Sequence, residues 1–379
     1  MNNLKVGIIG YGYWGPNLTR NFYELPTSDL VAIADLSEDR LKQAKSKYPQ
    51  ILVTMDYREF FDLELDAVVV ATPPVTHYLI AKECLEHNLH VLIEKPITLK
   101  SKDAEELIEL ADAKGLTLMV GHTFEFNSAV HAMKGYIDSG ELGDIYYIDA
   151  ARLNLGLFQR DSNVLWDLAP HDISIILYLL GEKPISVSAH GMPCVTDGIF
   201  DVAYLNLMFP NNIPAHVHVS WLDPCKVRRI TVVGSKKMAV FNDMESELKI
   251  KIYDKGVDPP EYTNGSFSEF KYSYRSGDIT IPNIRFMEPL RQECQIFIDR
   301  SSGKRTEAPK HELSGSIEAT QPMIAHDTHN CFIDAKCGLC INNKAGPYSC
   351  GRDGWQVVKI LEAAQHSMLN GQTREVITW

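Results

Sequence analysis

The sequence predicts an α/β protein in two parts: an N-terminal doubly wound parallel sheet over residues 1–122, then an α+β domain on a large open mixed or antiparallel sheet over 123–379. Three observations predict this. Strand-like and helix-like segments alternate up to about residue 122, as βαβ units do. A glycine-rich turn closes the first strand and opens a helix. From Ile145 the rhythm changes to short runs that alternate polar and apolar side chains, the mark of a sheet with one covered face. At 379 residues the chain is also long for a single core.

The elements follow in order. Leu4, Val6, Ile8 and Ile9 form a β-prone run, and helix-compatible sequence follows to about Phe22. Leu30–Ala34 reads as the second strand, 37–48 as a polar helix stopped by Pro49, and 51–53 as a short strand. Ala67–Ala71 is a buried strand that Thr72-Pro73-Pro74 keeps from continuing as helix, because proline disfavours a helical backbone at the preceding residue. Helix 75–87, strand 90–93, helix 101–114 and strand 117–120 complete the first part. In the second part, strands are expected at 146–150, 185–189, 202–209, 215–221, 230–233 and 248–253, with helices at 168–180, 286–300 and 355–369.

The glycine turn is Gly10-Tyr11-Gly12-Tyr13-Trp14-Gly15. Gly10 permits the tight turn, Gly12 lets the backbone approach a pyrophosphate, and Gly15 lets helix and strand pack closely. The N–H groups opening the helix then face the anion. Asp35 ends the second strand, twenty residues after Gly15, where a carboxylate accepts from the adenosine ribose hydroxyls. In this context the turn reads as a Rossmann dinucleotide site including Tyr13 and Trp14. A carboxylate at Asp35 repels a 2′-phosphate, so NAD is expected over NADP, although Arg40 could soften that preference.

Composition excludes other classes. With 37 Lys+Arg against 49 Asp+Glu, the net charge is −12 and no basic stripe exists for nucleic acid. No apolar stretch reaches membrane-spanning length, and Met1 to Lys5 lead directly into the first strand without room for a signal peptide. The expected compartment is the cytoplasm, with reduced cysteines. A large open sheet commonly needs a cover, so a homodimer or homotetramer through the C-terminal sheet is expected.

Two constellations carry chemistry. Lys95 follows Glu94 and precedes Pro96 at the carboxyl end of a parallel strand, the side where such sheets bind ligands. A cis bond before Pro96 would aim Lys95 away from the strand direction. Its ammonium can stabilise a developing alkoxide, though a lysine there alone reads as a surface residue. The second is Trp166-Asp167-Leu168-Ala169-Pro170-His171-Asp172. Asp167 reads as a helix N-cap with Pro170 in the first turn. Asp167 and His171 stand one turn apart on one face, and histidine suits proton transfer near neutrality. Alone, this pair reads as a helix cap beside a satisfied histidine.

Together with the glycine turn, Glu94-Lys95-Pro96 and Asp167-x-x-x-His171 resemble the Gfo/Idh/MocA family of sugar and cyclitol oxidoreductases over about residues 1–300 and the last helix. The segments Gly10–Asn17, Gly121–Asn127, Arg152–Gly156 and Ser220–Pro224 are similar to the branch that oxidises nucleotide-activated amino sugars or their uronic acids, often at C3. The resemblance implies hydride transfer between a ring carbon bearing a hydroxyl and nicotinamide, with His171 moving the hydroxyl proton, Lys95 holding the oxygen and Asp167 orienting the substrate. It places Thr72, Pro73 and His77 at the nicotinamide end. It suggests Phe124, Asn127, Arg152, Asn154, Asn163 and Trp221 for the substrate. Two rival readings are a free-polyol dehydrogenase such as one acting on inositol, and a non-catalytic NAD-sensing regulator.

Residues of about 307–350 have no counterpart in this pattern. No metal is expected. The alternative is a structural zinc site from His326, His329, Cys331, Cys337, Cys340 and Cys350, although a single C-x-x-C is a weak motif.

Overall fold

The computed structural model describes residues 3–156, 158, 162–258, 272–303 and 349–379. The cysteines and histidines considered for zinc lie outside these residues, except Cys350. Among the described residues, no group of three His, Cys, Asp or Glu is placed to hold a metal.

The described chain forms two compact units. The first runs to Asn127 and also takes Met287–303 and 349–Glu362, while the second holds Ser128–Phe286 and Ala363–Trp379. The first is built on six strands: β1 (Leu4–Ile9), β2 (Ser28–Ala34), β3 (Leu52–Thr54), β4 (Ala67–Val70), β5 (His90–Glu94) and β6 (Leu118–Gly121). They lie in the order β3-β2-β1-β4-β5-β6, all neighbours parallel, with the order reversing between β1 and β4. Helices α1 (Gly15–Glu24), α2 (Glu38–Lys47), α3 (Pro74–Glu86) and α4 (Ser101–Lys114) make the crossovers. Val68, Val69, Val70, Leu92 and Ile93 are almost fully buried, as strands covered on both faces must be.

The sequence division at residue 122 placed the helix near 289 with the second domain. In the structure α7 (Pro289–Ser301) packs on the first unit, putting Leu290, Cys294, Phe297 and Ile298 into its core. Phe297 meets Phe22 of α1 edge to face, ring centres 6.2 Å apart. Each large side chain so buried contributes about 1.5–3 kcal/mol. Arg20 adds an ion pair to Glu288 at the start of α7. Chain proximity could not reveal this docking, since α7 is more than 260 residues from α1.

The second unit contains α5 (Ser128–Asp138), α6 (Val164–Leu180) and a sheet of nine strands. These are β7 (Ile145–Leu153), β8 (Ser186–Met192), β9 (Val202–Met208), β10 (Pro214–Ser220), β11 (Val227–Gly234), β12 (Met238–Asn242), β13 (Ile250–Asp258), β14 (Ser273–Thr280) and β15 (Glu375–Val376). Their order is β14-β13-β12-β11-β7-β10-β9-β8-β15. The β7–β10 pair is parallel and the others antiparallel, so the sheet is mixed. Ile148, Ala150, Leu205, Leu207, Val217 and Val219 form its buried face, to which α6 packs. A last helix, α8 (Gly351–Leu369), precedes β15.

Candidate active site

In the first unit, the glycine turn has the expected geometry for two separate reasons. Gly10 has φ +101°, and a Cβ there would meet the Ala71 carbonyl oxygen at 2.6 Å. A Cβ on Gly15 would lie 2.3 Å from the Gly10 carbonyl oxygen, so the helix can approach the strand only with glycine. Gly12 differs. A Cβ on it would meet only the Arg40 guanidinium, at an ordinary 3.7 Å. The chain's own packing leaves that space open, as a backbone cradle for a pyrophosphate would.

The surroundings fit the same ligand. Helix α1 has no side-chain cap and no acid in its first turn, so its N-terminus can receive an external anion. Asp35 is nearly enclosed and held by two backbone N–H groups, Tyr11 N to Oδ2 at 2.6 Å and Ser37 N to Oδ1 at 2.8 Å. Carboxylate oxygens accept more than one hydrogen bond, so this support aims Asp35 without exhausting it. The exposed Arg40 reaches Asp35 Oδ2 at 3.5 Å, a loose contact that leaves it able to face solvent or phosphate. Tyr13 and Trp14 stand exposed beside the turn, edge to face at 5.8 Å.

The neighbouring strand ends bring Thr72, His77 and Glu94-Lys95-Pro96 together. Lys95 is half-buried and the Lys95–Pro96 bond is cis. Pro73 is exposed at the start of α3. His77, expected at the nicotinamide end, is fully buried: Nε2 contacts the Thr72 carbonyl and Nδ1 the Pro96 carbonyl, both at 2.8 Å. Burial first, and the Lys95 charge last, hold its pKa below the usual range.

Glu94 lies under this turn, with Oε2 accepting from the Lys95 N–H at 3.2 Å. Burial pushes its carboxyl up to about 7 against the opposing pull of Lys95. His122, after β6, is buried with neither ring nitrogen partnered among the described residues, and burial with the Lys95 charge takes it down to about 3. It is neutral at any physiological pH. Glu293 of α7 is fully enclosed. Burial, then the nearby Glu94 charge, raises it well above the usual carboxylate range. Sequence reasoning missed Glu293, yet a signal exists: it interrupts the apolar stripe of Leu290, Cys294 and Phe297 at helical spacing. Phe124 (half-buried) and Asn127 (buried) belong to the first unit and not to the second domain that the sequence division assigned them.

In the second unit, α6 begins four residues before the expected helix. Asn163 is the N-cap, its side-chain oxygen accepting from the Leu165 and Trp166 N–H groups at 3.1 and 3.3 Å, and its amide donates to Gln365 at 3.3 Å. Asp167 is therefore not the cap but lies in the first turn, and Pro170 is interior to the helix. Asparagine at the true start and an apolar first turn, Val164 and Leu165, explain the longer helix. The i, i+4 spacing of Asp167 and His171 is retained, and both are half-buried.

Two substrate candidates have structural partners. Trp221 is buried and donates its indole N–H to Asp167 Oδ2 at 2.9 Å, fixing that carboxylate. Arg152 is buried in a two-pronged ion pair with Asp172, at 2.7 and 3.0 Å. Asn154 is half-buried and its backbone N–H continues the β7–β10 ladder to Ser220 at 3.1 Å.

Comparison with known proteins agrees with this architecture. Residues 4–122 match the model of the oxidoreductase family with an NAD-binding Rossmann fold, and residues 130–240 match the GFO/IDH/MocA C-terminal domain. The chain belongs to the Gfo/Idh/MocA oxidoreductase family. Its first unit is an NAD-binding Rossmann domain. Among family relatives, the chain is 25% identical to UDP-N-acetylglucosamine 3-dehydrogenase of Acidithiobacillus ferrooxidans, covering 84% of this chain and 99% of that one. It is 27% identical to myo-inositol 2-dehydrogenase of Thermotoga maritima, over 67% of this chain and 80% of that one. The WlbA dehydrogenase from Bordetella pertussis, solved in complex with NADH and UDP-GlcNAcA, shares the fold with a TM-score of 0.71 at 17% identity, covering all of both chains.

Proposed function

We propose that this family member is an NAD-dependent dehydrogenase of a sugar ring hydroxyl, acting at C3 of a nucleotide-activated amino sugar or its uronic acid. The observation that carries the reading is the open cradle at Gly12, with Asp35 at one end of the carboxyl edge and Lys95 near the other. Substrate class rests on the near full-length similarity to UDP-N-acetylglucosamine 3-dehydrogenase. The similarity to myo-inositol 2-dehydrogenase keeps a free polyol as the second reading.

The bound cofactor supplies the hydride acceptor or donor. The α1 N-terminus and Gly12 hold its pyrophosphate and Asp35 its ribose. His171 takes the hydroxyl proton during oxidation and returns it during reduction. The Lys95 ammonium stabilises the oxygen as negative charge develops. Asp167, braced by Trp221, orients the substrate. The same reading places the enzyme in the cytoplasm as a homodimer or homotetramer. No helix among the described residues is long and apolar enough to cross a membrane.

Purified protein incubated with NAD and a panel of UDP-sugars and free polyols tests this by absorbance of the reduced nicotinamide. Turnover of a UDP-sugar is expected, with Lys95→Ala and His171→Ala each lowering kcat by about 10²–10⁴-fold. UDP binding separates the two substrate classes, since a free-polyol enzyme has no use for it. Wild-type rates in both variants would remove the assigned roles.

A further inference from the structure

We propose that His77 is a positioning residue: its ring, lodged between the Thr72 and Pro96 carbonyls, braces the turn that carries Lys95. This rests on the reading of Lys95 as the lysine that acts on substrate. Strands β4 and β5 are adjacent and parallel, so the chain leaves both at the same edge of the sheet. Past Val70 lies Thr72, and past Glu94 lie Lys95 and Pro96. Nothing in a parallel ladder continues to hold the two segments once the strands end.

His77 fills that role from the first turn of α3. Its ring spans from the Thr72 carbonyl to the Pro96 carbonyl, 2.8 Å to each, and the residue has no exposed surface. A residue so enclosed has no surface to offer a cofactor, so its influence passes through the two carbonyls. The chemistry favours histidine here. A short rigid ring reaches both oxygens without a flexible stem, and its single N–H pairs one of the two carbonyls, which would be costly to leave unpaired. Neutral imidazole donates from one nitrogen only, so one contact carries the N–H and the other nitrogen stands against its oxygen. The Lys95 charge acts on this ring. Displacing Pro96 shifts the preceding residue, and the ammonium of Lys95 moves with it.

The test compares wild type with His77→Phe, which keeps a ring without nitrogens, and His77→Gln, which keeps an N–H donor. With the best UDP-sugar, His77→Phe is expected to lower kcat by about 10–100-fold, the usual reach of a group that orients a reacting residue. The KM for sugar and the Kd for NAD should stay within about threefold, and His77→Gln should recover part of the lost rate. A kcat in His77→Phe within twofold of wild type, per folded molecule, would overturn the proposal. So would a rise in the NAD Kd that matches the loss of kcat, because that marks direct cofactor contact. The proton NMR spectrum of wild type in water decides the bracing independently of turnover. A slowly exchanging imidazole N–H, absent from both variants, is expected, and its absence from wild type overturns the proposal even where no substrate is found. Should His77→Phe fail to fold, His77→Leu, which also lacks a ring N–H, carries the same comparison. Failure of the redox reading would instead show as no turnover in wild type with that N–H present.

Discussion

Glu94 shows how one buried carboxyl makes the first unit sensitive to pH. Its pKa in the fold is about 7, against 4.5 for an ordinary glutamate, with burial as the main cause. The folded chain therefore keeps a proton between about pH 4.5 and 7 that the unfolded chain has already released. Stability is unaffected below that window and falls as pH rises through it, by about 3 kcal/mol once pH exceeds 7. Thermal melts from pH 5 to 8 should show this decline in wild type and a flatter profile in Glu94→Gln. Parallel curves would mean that Glu94 is ionised throughout. Arg152 and Asp172 behave differently, because each neutralises the other inside the core. Arg152→Leu alone should cost about 3–5 kcal/mol by stranding Asp172, whereas Arg152→Leu with Asp172→Leu should recover much of it. Denaturant titration of the three proteins checks this. A substrate-binding arginine would change KM and leave the midpoint in place.

At the scale of elements, α6 depends on a residue that the sequence reading assigned to substrate. Asn163→Ala removes the acceptor for two backbone N–H groups and should lower stability by about 1 kcal/mol. Loss of the cap frays the turn before Asp167, so the sugar KM should rise too, a coupling that melts and kinetics on one preparation would measure. Much of the first unit was legible, since continuous apolar runs and proline stops mark buried parallel strands without ambiguity. The helix at Ser101–Lys114 has the bounds the sequence predicted, and β1, β2 and β4 differ by a few residues at most. The start of α6 was misread because aspartate and asparagine are comparable caps and both precede apolar residues. Strands β12, β14 and β15 went unread, being short or dominated by exposed residues. At the glycine turn, the need for glycine was legible where the motif fixes it, as at Gly10 and Gly15. The burial of His77, Arg152 and Trp221 was not, because it depends on contacts far apart in sequence.

For the molecule as a whole, the nine-stranded sheet leaves a question that one chain does not answer. Its face opposite α6 presents Tyr147, Tyr204, His216 and His218, with Tyr204 stacked on His218 at 4.3 Å and His216 contacting Asp149 at 3.0 Å. Such a face is too aromatic to be indifferent to association and too polar to be a core. A second copy of this chain is the expected cover, so light scattering should give at least twice the monomer mass of 42.7 kDa. Tyr204→Glu should shift the population toward monomer while its circular dichroism stays that of wild type. A wild-type mass of one chain across micromolar concentrations would remove this expectation. Sequence reading reached the open sheet but divided the chain at a single point. The fold instead returns α7 to the first unit, a long-range docking that no local pattern announces.

The vacancy beside Gly12 has a practical consequence. Its backbone is not in the left-handed region, and a methyl group there touches only the Arg40 guanidinium, at ordinary contact distance. Gly12→Ala should consequently assemble and melt like the parent while the added methyl blunts its hold on the dinucleotide. Calorimetric titration with NAD beside a melting curve would show both halves of that outcome. Such a silenced scaffold would let any duty of the protein that needs no redox partner be observed by itself.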